Sequence, residues 1–166
     1  AFILEGKTEL AEHSARSAVR LLREGGEQTL LAEALTTHGK ALARMNQVPK
    51  ARATLDQAIG IAQTAGHLEG GGIAAVTVIE ELRVHLSTNV LQEYYRTAEE
   101  LLARSQNRGL RTRLGECARR VLAAEFESVK GSIGSTTNSV EGLAGIPSQM
   151  PPGFSLDAEV LRYEGS

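Results

Sequence analysis

The densest charge signal in the chain is a set of arginines, Arg104, Arg108, Arg111, Arg113, Arg119 and Arg120. Guanidinium groups gathered in this way suit an anionic peptide or the acidic surface of a partner. The plainer reading pairs them with Glu99, Glu100 and Glu116 as exposed ion pairs, each worth little. Lys130-Gly131-Ser132 and Gly134-Ser135-Thr136 have the residue types of a phosphate-cradling loop. Such a loop needs its lysine after the glycines, between a strand and a helix. Here the lysine comes first and no strand precedes it, so a linker is expected. Gly70-Gly71-Gly72 reads as a softened helix start or a site of close helix packing rather than a nucleotide turn.

The histidines are His13, His38, His67 and His85, and no two share the spacing of three or four that brings ligands together on a helix. Glu81 and His85 are four apart, but two ligands do not make a zinc site. His38 falls on an apolar stripe and is expected to be a satisfied core histidine. Cys117 is the single cysteine, which excludes an internal disulfide and any multi-cysteine zinc site; it is expected to pack as a small apolar residue. Glu80-Glu81 and Glu99-Glu100 are adjacent carboxylates that point about 100° apart on a helix. They cannot flank one substrate and are read as solvated faces. No nucleophile–base pair or metal constellation can be assembled from spacing. The expectation is a binding module and not an enzyme, with no catalytic residue, no metal and no cofactor.

The elements that carry these residues are helices. Aromatics are only 4% of the 166 residues and tryptophan is absent, too thin for a sandwich or barrel, whereas alanine and leucine supply the apolar content and favour packed helices. The net charge of −2 argues against a strong phosphate-binding surface, so no direct nucleic-acid binding is expected. The longest apolar run is far too short to span a bilayer, so no membrane association is expected either. Apolar residues recur at three and four through Ala11, Ala15, Ala18, Leu21 and Leu22; through Leu31, Ala34, Leu35, His38, Leu42 and Met45; and through Ala51, Leu55, Ala58, Ile61 and Ala62. Gly25-Gly26, Asn46-Gln47-Val48-Pro49 and Ala65-Gly66-His67 supply the breaks.

The stripes repeat at an offset of 40. Ala18, Ala58 and Ala98 align, as do Leu21, Ile61 and Leu101, and Leu42, Leu82 and Leu122. Matching turns fall at Gly26, Gly66 and Gln106. Small residues let paired helices approach closely, and a pair that cannot bury its face alone must stack on the next. The expected fold is all-α, a solenoid of antiparallel helix pairs.

Residues 34–63 resemble a tetratricopeptide repeat. Leu35, Gly39 and Leu42 stand at the large, glycine and apolar positions of the motif's first helix, and Ala51, Leu55 and Ala58 at the signature positions of its second. Pro49 lies in the intervening turn, whereas the motif's proline ends the second helix, where this chain has Gln63. In the next unit Ile79 replaces the glycine, while Leu82, Tyr95 and Ala98 keep their places. Residues 35–65, the run Ile79-Glu80-Glu81-Leu82 and Arg111-Thr112-Arg113-Leu114 are also similar to the repeat region of bacterial regulators that end in a Fis-type helix-turn-helix. In those proteins a linker leads to a segment similar to residues 153–164. The DNA-reading helices are absent from this sequence.

The resemblance implies a groove lined by the first helices of successive pairs, here Glu33, Thr36, Lys40 and Arg44, then Val76, Glu80 and Arg83, then Arg113, Glu116 and Arg120. It implies a cytoplasmic protein that docks a partner peptide or helix in this mixed-charge groove, as the regulatory or sensor part of a bacterial transcriptional regulator. The alternative is a structural scaffold or self-associating repeat with no DNA-linked role.

Residues 1–126 are expected to form the repeat domain. Small polar residues and three of the four prolines, Pro147, Pro151 and Pro152, mark residues 127–152 as a flexible linker. Residues 153–166 read as the start of a helix capped by Ser155, whose face of Leu156, Val160, Leu161 and Tyr163 has no evident partner. The chain opens on a helical pattern and stops just after another begins, as expected of a piece of a longer protein.

Overall fold

A twenty-residue phase governs the fold. Helices α2 (Gln28–Arg44), α3 (Val48–Thr64), α4 (Leu68–Leu82), α5 (Thr88–Leu102) and α6 (Arg108–Thr137) begin at 28, 48, 68, 88 and 108, after α1 (Phe2–Gly25). The computed structural model describes the backbone of residues 2–137 and the side chains of residues 6–133. Among these residues there are six α-helices, one 3-10 turn (Arg83–His85) and no strand.

The phase is set by the turns. Gly26, Asn46 and Gly66 have φ of 74°, 58° and 71°, the left-handed conformation that ends a helix and that glycine and asparagine adopt most readily. Just beyond two of them, the Gln47 N–H donates to the Leu42 carbonyl (2.9 Å) and the His67 N–H to the Ala62 carbonyl (2.8 Å), satisfying carbonyls that the helix leaves open. Pro49 falls inside the first turn of α3 rather than before it, where its missing N–H has no intrahelical role. The turn between α4 and α5 contains no left-handed residue. The 3-10 turn is followed by extended Leu86 and Ser87.

Each of α2 to α5 packs on the helix before it, and α2 also packs on α4. α4 is the most enclosed, with Ala74, Ala75, Val76, Val78, Ile79 and Leu82 all fully buried. Its glycines serve close packing. A Cβ on Gly72 would stand 2.5 Å from Leu102 Cδ2, and one on Gly71 3.1 Å from Leu101 Cδ1. Gly39 plays the same part between α2 and α3, where a Cβ would meet Leu55 Cγ at 2.6 Å. Of the aligned alanines, Ala58 and Ala98 are fully buried and Ala18 is half-buried. α6 enters the core through Leu110, Cys117 and Val121, spaced by seven and four on one face.

The chain divides into a first unit, Ala1–Val129, and a second, Lys130–Ser166. The described residues of the second are the end of α6. Helix therefore occupies residues 127–137, the beginning of the stretch expected to be a linker. No proline occurs between Pro49 and Pro147, and glycines such as Gly131 cost a helix only about 1 kcal/mol each. The rest of that linker and the expected helix at 153–166 lie outside the described residues. So does the proposed cap at Ser155.

Candidate functional site

The expected groove residues lie on α2, α4, the 3-10 turn and α6. On α2, Glu33, Thr36, Lys40 and Arg44 follow one another at three and four. Glu33 Oε1 is 3.4 Å from His67 Nε2. The Thr36 hydroxyl donates to the Ala32 carbonyl of its own helix at 2.9 Å. Lys40 Nζ lies 3.8 Å from Glu81 Oε1, and Arg44 donates to both Glu81 oxygens, from Nη2 at 3.2 Å and from Nε at 3.4 Å. Across α4, Arg113 donates to Glu80 through Nη2 at 2.8 Å and through Nε at 3.1 Å. The hydrogen bonds to Glu80, foremost, hold the Arg113 guanidinium above its ordinary pKa.

These pairs correct two expectations. Glu80 and Glu81 are not solvated faces; each carboxylate bridges α4 to another helix. Val76 does not line a groove, because it is fully buried in the core. Arg83 is exposed in the 3-10 turn, while Glu116 and Arg120 are half-buried on α6. Arg83 and Arg120 form no ion pair among the described residues. Of the arginine cluster, Arg113 is committed to Glu80, and Arg111 Nε donates to the Ser105 carbonyl at 3.0 Å. Glu99, Glu100 and Glu116 pair with none of the six among the described residues. The face is a ladder of internal ion pairs with Glu33, Arg83, Glu116 and Arg120 at its edges.

A second set of bonds joins the other helices. The Tyr94 hydroxyl of α5 donates to Asp56 Oδ1 (2.6 Å) and accepts from Arg52 Nε (3.1 Å), both on α3. Arg52 Cζ also sits 5.8 Å from the ring centroid. Burial, then the bond to Asp56, raises the Tyr94 pKa. Gln92 of α5 donates to Glu125 of α6. Ser105, buried in the α5–α6 turn, donates to Glu69 and accepts from the Asn107 N–H. Asn107 Oδ1 then caps α6 by accepting from the Gly109 and Leu110 N–H groups at 3.0 and 3.3 Å.

A furrow that sequence reasoning missed runs between α1 and α3 with α2 as its floor. Two adjoining cavities of about 400 and 540 Å³ share Arg16, His38 and Thr54. His38 is satisfied, as expected. Its Nε2 donates to Glu12 Oε1 at 3.0 Å, and both side chains are largely enclosed. The other Glu12 oxygen lies 3.5 Å from Arg16 Nη2. Arg16, Arg20 and Arg23 recur at four and three along α1, a spacing visible in the sequence; the facing wall of α3 was not.

Cys117 is fully buried and packs as a small apolar residue; burial, with the Glu80 charge adding, pushes its thiol up to about 11. His85 lies beyond the end of α4 in the 3-10 turn, so it does not continue the helical spacing from Glu81. Lys130-Gly131-Ser132 is helical rather than a loop. Among the described residues no cluster of histidine, cysteine, aspartate and glutamate could hold a metal ion, and no helix is long and apolar enough to cross a membrane. No family model matches the chain, and no curated protein or solved structure matches it.

Proposed function

We propose that the chain is a protein-recognition module, an α-solenoid of tetratricopeptide-like pairs α2/α3 and α4/α5 that docks a partner segment across the face of α2, α4 and α6. The observation that carries this reading is the contact between alternate helices. α2 packs on α4, Lys40 and Arg44 reach Glu81, and Arg113 reaches Glu80. Such stacking of first helices is what a solenoid requires. Arg83 and Arg120 are the cations left to anchor acidic groups, with Glu116 available to basic ones. A mixed-charge face of this kind suits an extended peptide or a helix of a partner.

The test is to pan a peptide library on the 166-residue chain and measure the best binder against Arg83→Glu/Arg120→Glu. Affinity is expected to fall at least tenfold. An unchanged affinity means that the face is wrongly assigned. The regulatory role rests on the resemblance of residues 35–65, 79–82 and 111–114 to the repeat region of Fis-type regulators. Reading the coding frame beyond Ser166 tests it: a helix-turn-helix supports the role, and a stop codon removes it.

Self-association is the second reading, favoured by one observation. Leu122, Phe126 and Val129 are exposed along one side of α6, at spacings of four and three. It expects a mass that rises with concentration in sedimentation and falls back with Phe126→Glu.

A further inference from the structure

We propose that the furrow between α1 and α3 binds an acidic, extended segment of a partner protein. This is a different surface from the α2–α4–α6 face, and either can fail without the other. The first argument is charge. Arg16, Arg20 and Arg23 stand on the α1 side and Lys50 on the α3 side, against only two carboxylates, Glu12 and Glu24. Glu12 is already engaged, with one oxygen held by His38 and the other facing Arg16. Arg23 spends one N–H on Gln57 Oε1 at 3.1 Å, which leaves the rest of its donor fork open. Arg20 and Lys50 are exposed and form no ion pair among the described residues. With Arg16 set against Glu12, the other three cations, on a concave surface that offers so few free anions, raise the local concentration of negative ligands.

The second argument is shape. The two cavities adjoin along the helices and share their middle residues. The α3 wall runs from Gln47 to Gln57, about 15 Å at 1.5 Å per residue. That length takes about four or five residues of extended chain, more than a single phosphate would fill. Thr54 and Gln57 offer neutral hydrogen-bonding groups, and Met45 and Ala53 offer apolar surface between the charges. A segment alternating carboxylates with aliphatic side chains matches this lining.

The experiment uses the 166-residue chain and two fluorescein-labelled peptides, Glu-Leu-Glu-Leu-Glu and Gln-Leu-Gln-Leu-Gln, read by anisotropy at 0.02 and 0.15 M salt. The acidic peptide is expected to saturate, to weaken with salt, and to lose at least tenfold in affinity in Arg20→Glu/Lys50→Glu. Arg83→Glu/Arg120→Glu should leave it within twofold. Equal binding of the neutral peptide, failure of the acidic one to saturate, or a change under twofold in the furrow variant would overturn the proposal. Inorganic triphosphate is the competing probe. Should it alone bind, and lose binding in Arg20→Glu/Lys50→Glu, the furrow takes small anions and the peptide assignment is wrong. If the reversal variant does not fold, Arg20→Gln/Lys50→Gln replaces it, with at least threefold weakening expected and no change overturning the proposal.

Discussion

Glu80 and Glu81 are neighbours in α4, yet they bind different helices: Glu81 accepts from Arg44 and faces Lys40 on α2, and Glu80 accepts twice from Arg113 on α6. The roughly 100° between successive helical residues makes this possible. The same angle that prevents the two carboxylates from sharing a substrate lets them fasten a central helix on two sides.

The two fastenings differ in strength. The Arg113 and Glu80 side chains are 34% and 20% exposed and meet through two parallel bonds, whereas Lys40 and Arg44 are 42% and 56% exposed. Glu80→Gln is expected to cost about 1.5–3 kcal/mol of unfolding free energy, the range for hydrogen bonds to charged groups. Glu81→Gln should cost about 0.2–1 kcal/mol, as exposed pairs do. Urea denaturation of both variants separates the two values. Equal losses would contradict the assignment.

Glycine positions divide by sign. A Cβ on Gly72 would press on Leu102, and one on Gly39 would press on Leu55 with the Ala51 carbonyl only 3.3 Å away. Both leucines are themselves buried. Gly72→Ala and Gly39→Ala are each expected to destabilise by about 1–3 kcal/mol, the usual cost of overpacking. Gly60, also helical, has nothing within 4 Å of its Cβ position. Gly60→Ala should stabilise by up to about 1 kcal/mol through helix propensity. Thermal melts followed by circular dichroism would show the opposite shifts.

Helix positions were legible because each turn carries its own local chemistry. Gly26, Asn46 and Gly66 can adopt positive φ, and Pro49 is tolerated only near a helix start. The all-helical class followed from spacing of the same kind. Glu80 and Glu81 were misread because their partners lie 33 and 37 residues away in sequence, and no local pattern says which helix stands opposite. Val76 was placed outward by analogy of register, while the enclosed position of α4 decides its burial. Residues 127–137 read as linker from their small residues, but such composition weakens a helix without forbidding it. The furrow needed both walls, and only the arginine spacing of α1 can be seen in the sequence.

Tyr94 ties α5 to α3 through its hydroxyl, which donates to Asp56 and accepts from Arg52. Tyr94→Phe keeps the ring and removes both bonds, so a loss of about 1–2 kcal/mol is expected. In an Asp56→Asn background the same change should cost less, because one bond then lacks its charge. A double-mutant cycle by chemical denaturation measures this coupling. A coupling energy of zero would mean that the Tyr94–Asp56 bond adds nothing to stability.

Cys117, Tyr94 and Tyr95 each lower stability at alkaline pH. The Cys117 thiol stands at about 11 in the folded chain against an ordinary 9.0, because burial disfavours the thiolate. A raised folded pKa means that the stabilisation is fully present below pH 9 and is lost as pH rises through about 11. The shift corresponds to about 2–3 kcal/mol. Tyr94, also raised, adds a loss of the same sign, starting near its ordinary value of 10.0. Stability should therefore fall between pH 9 and 11. Cys117→Ala should lower stability at pH 7 by removing buried sulfur, yet make the curve shallower from pH 9 upward. Tyr94→Phe should leave the onset near pH 9 and make the fall shallower above pH 10. In native wild-type protein the thiol should resist a disulfide reagent at pH 8 and react only as the chain unfolds. Prompt labelling of the folded chain would show that Cys117 is not enclosed, and the alkaline argument would fail with it.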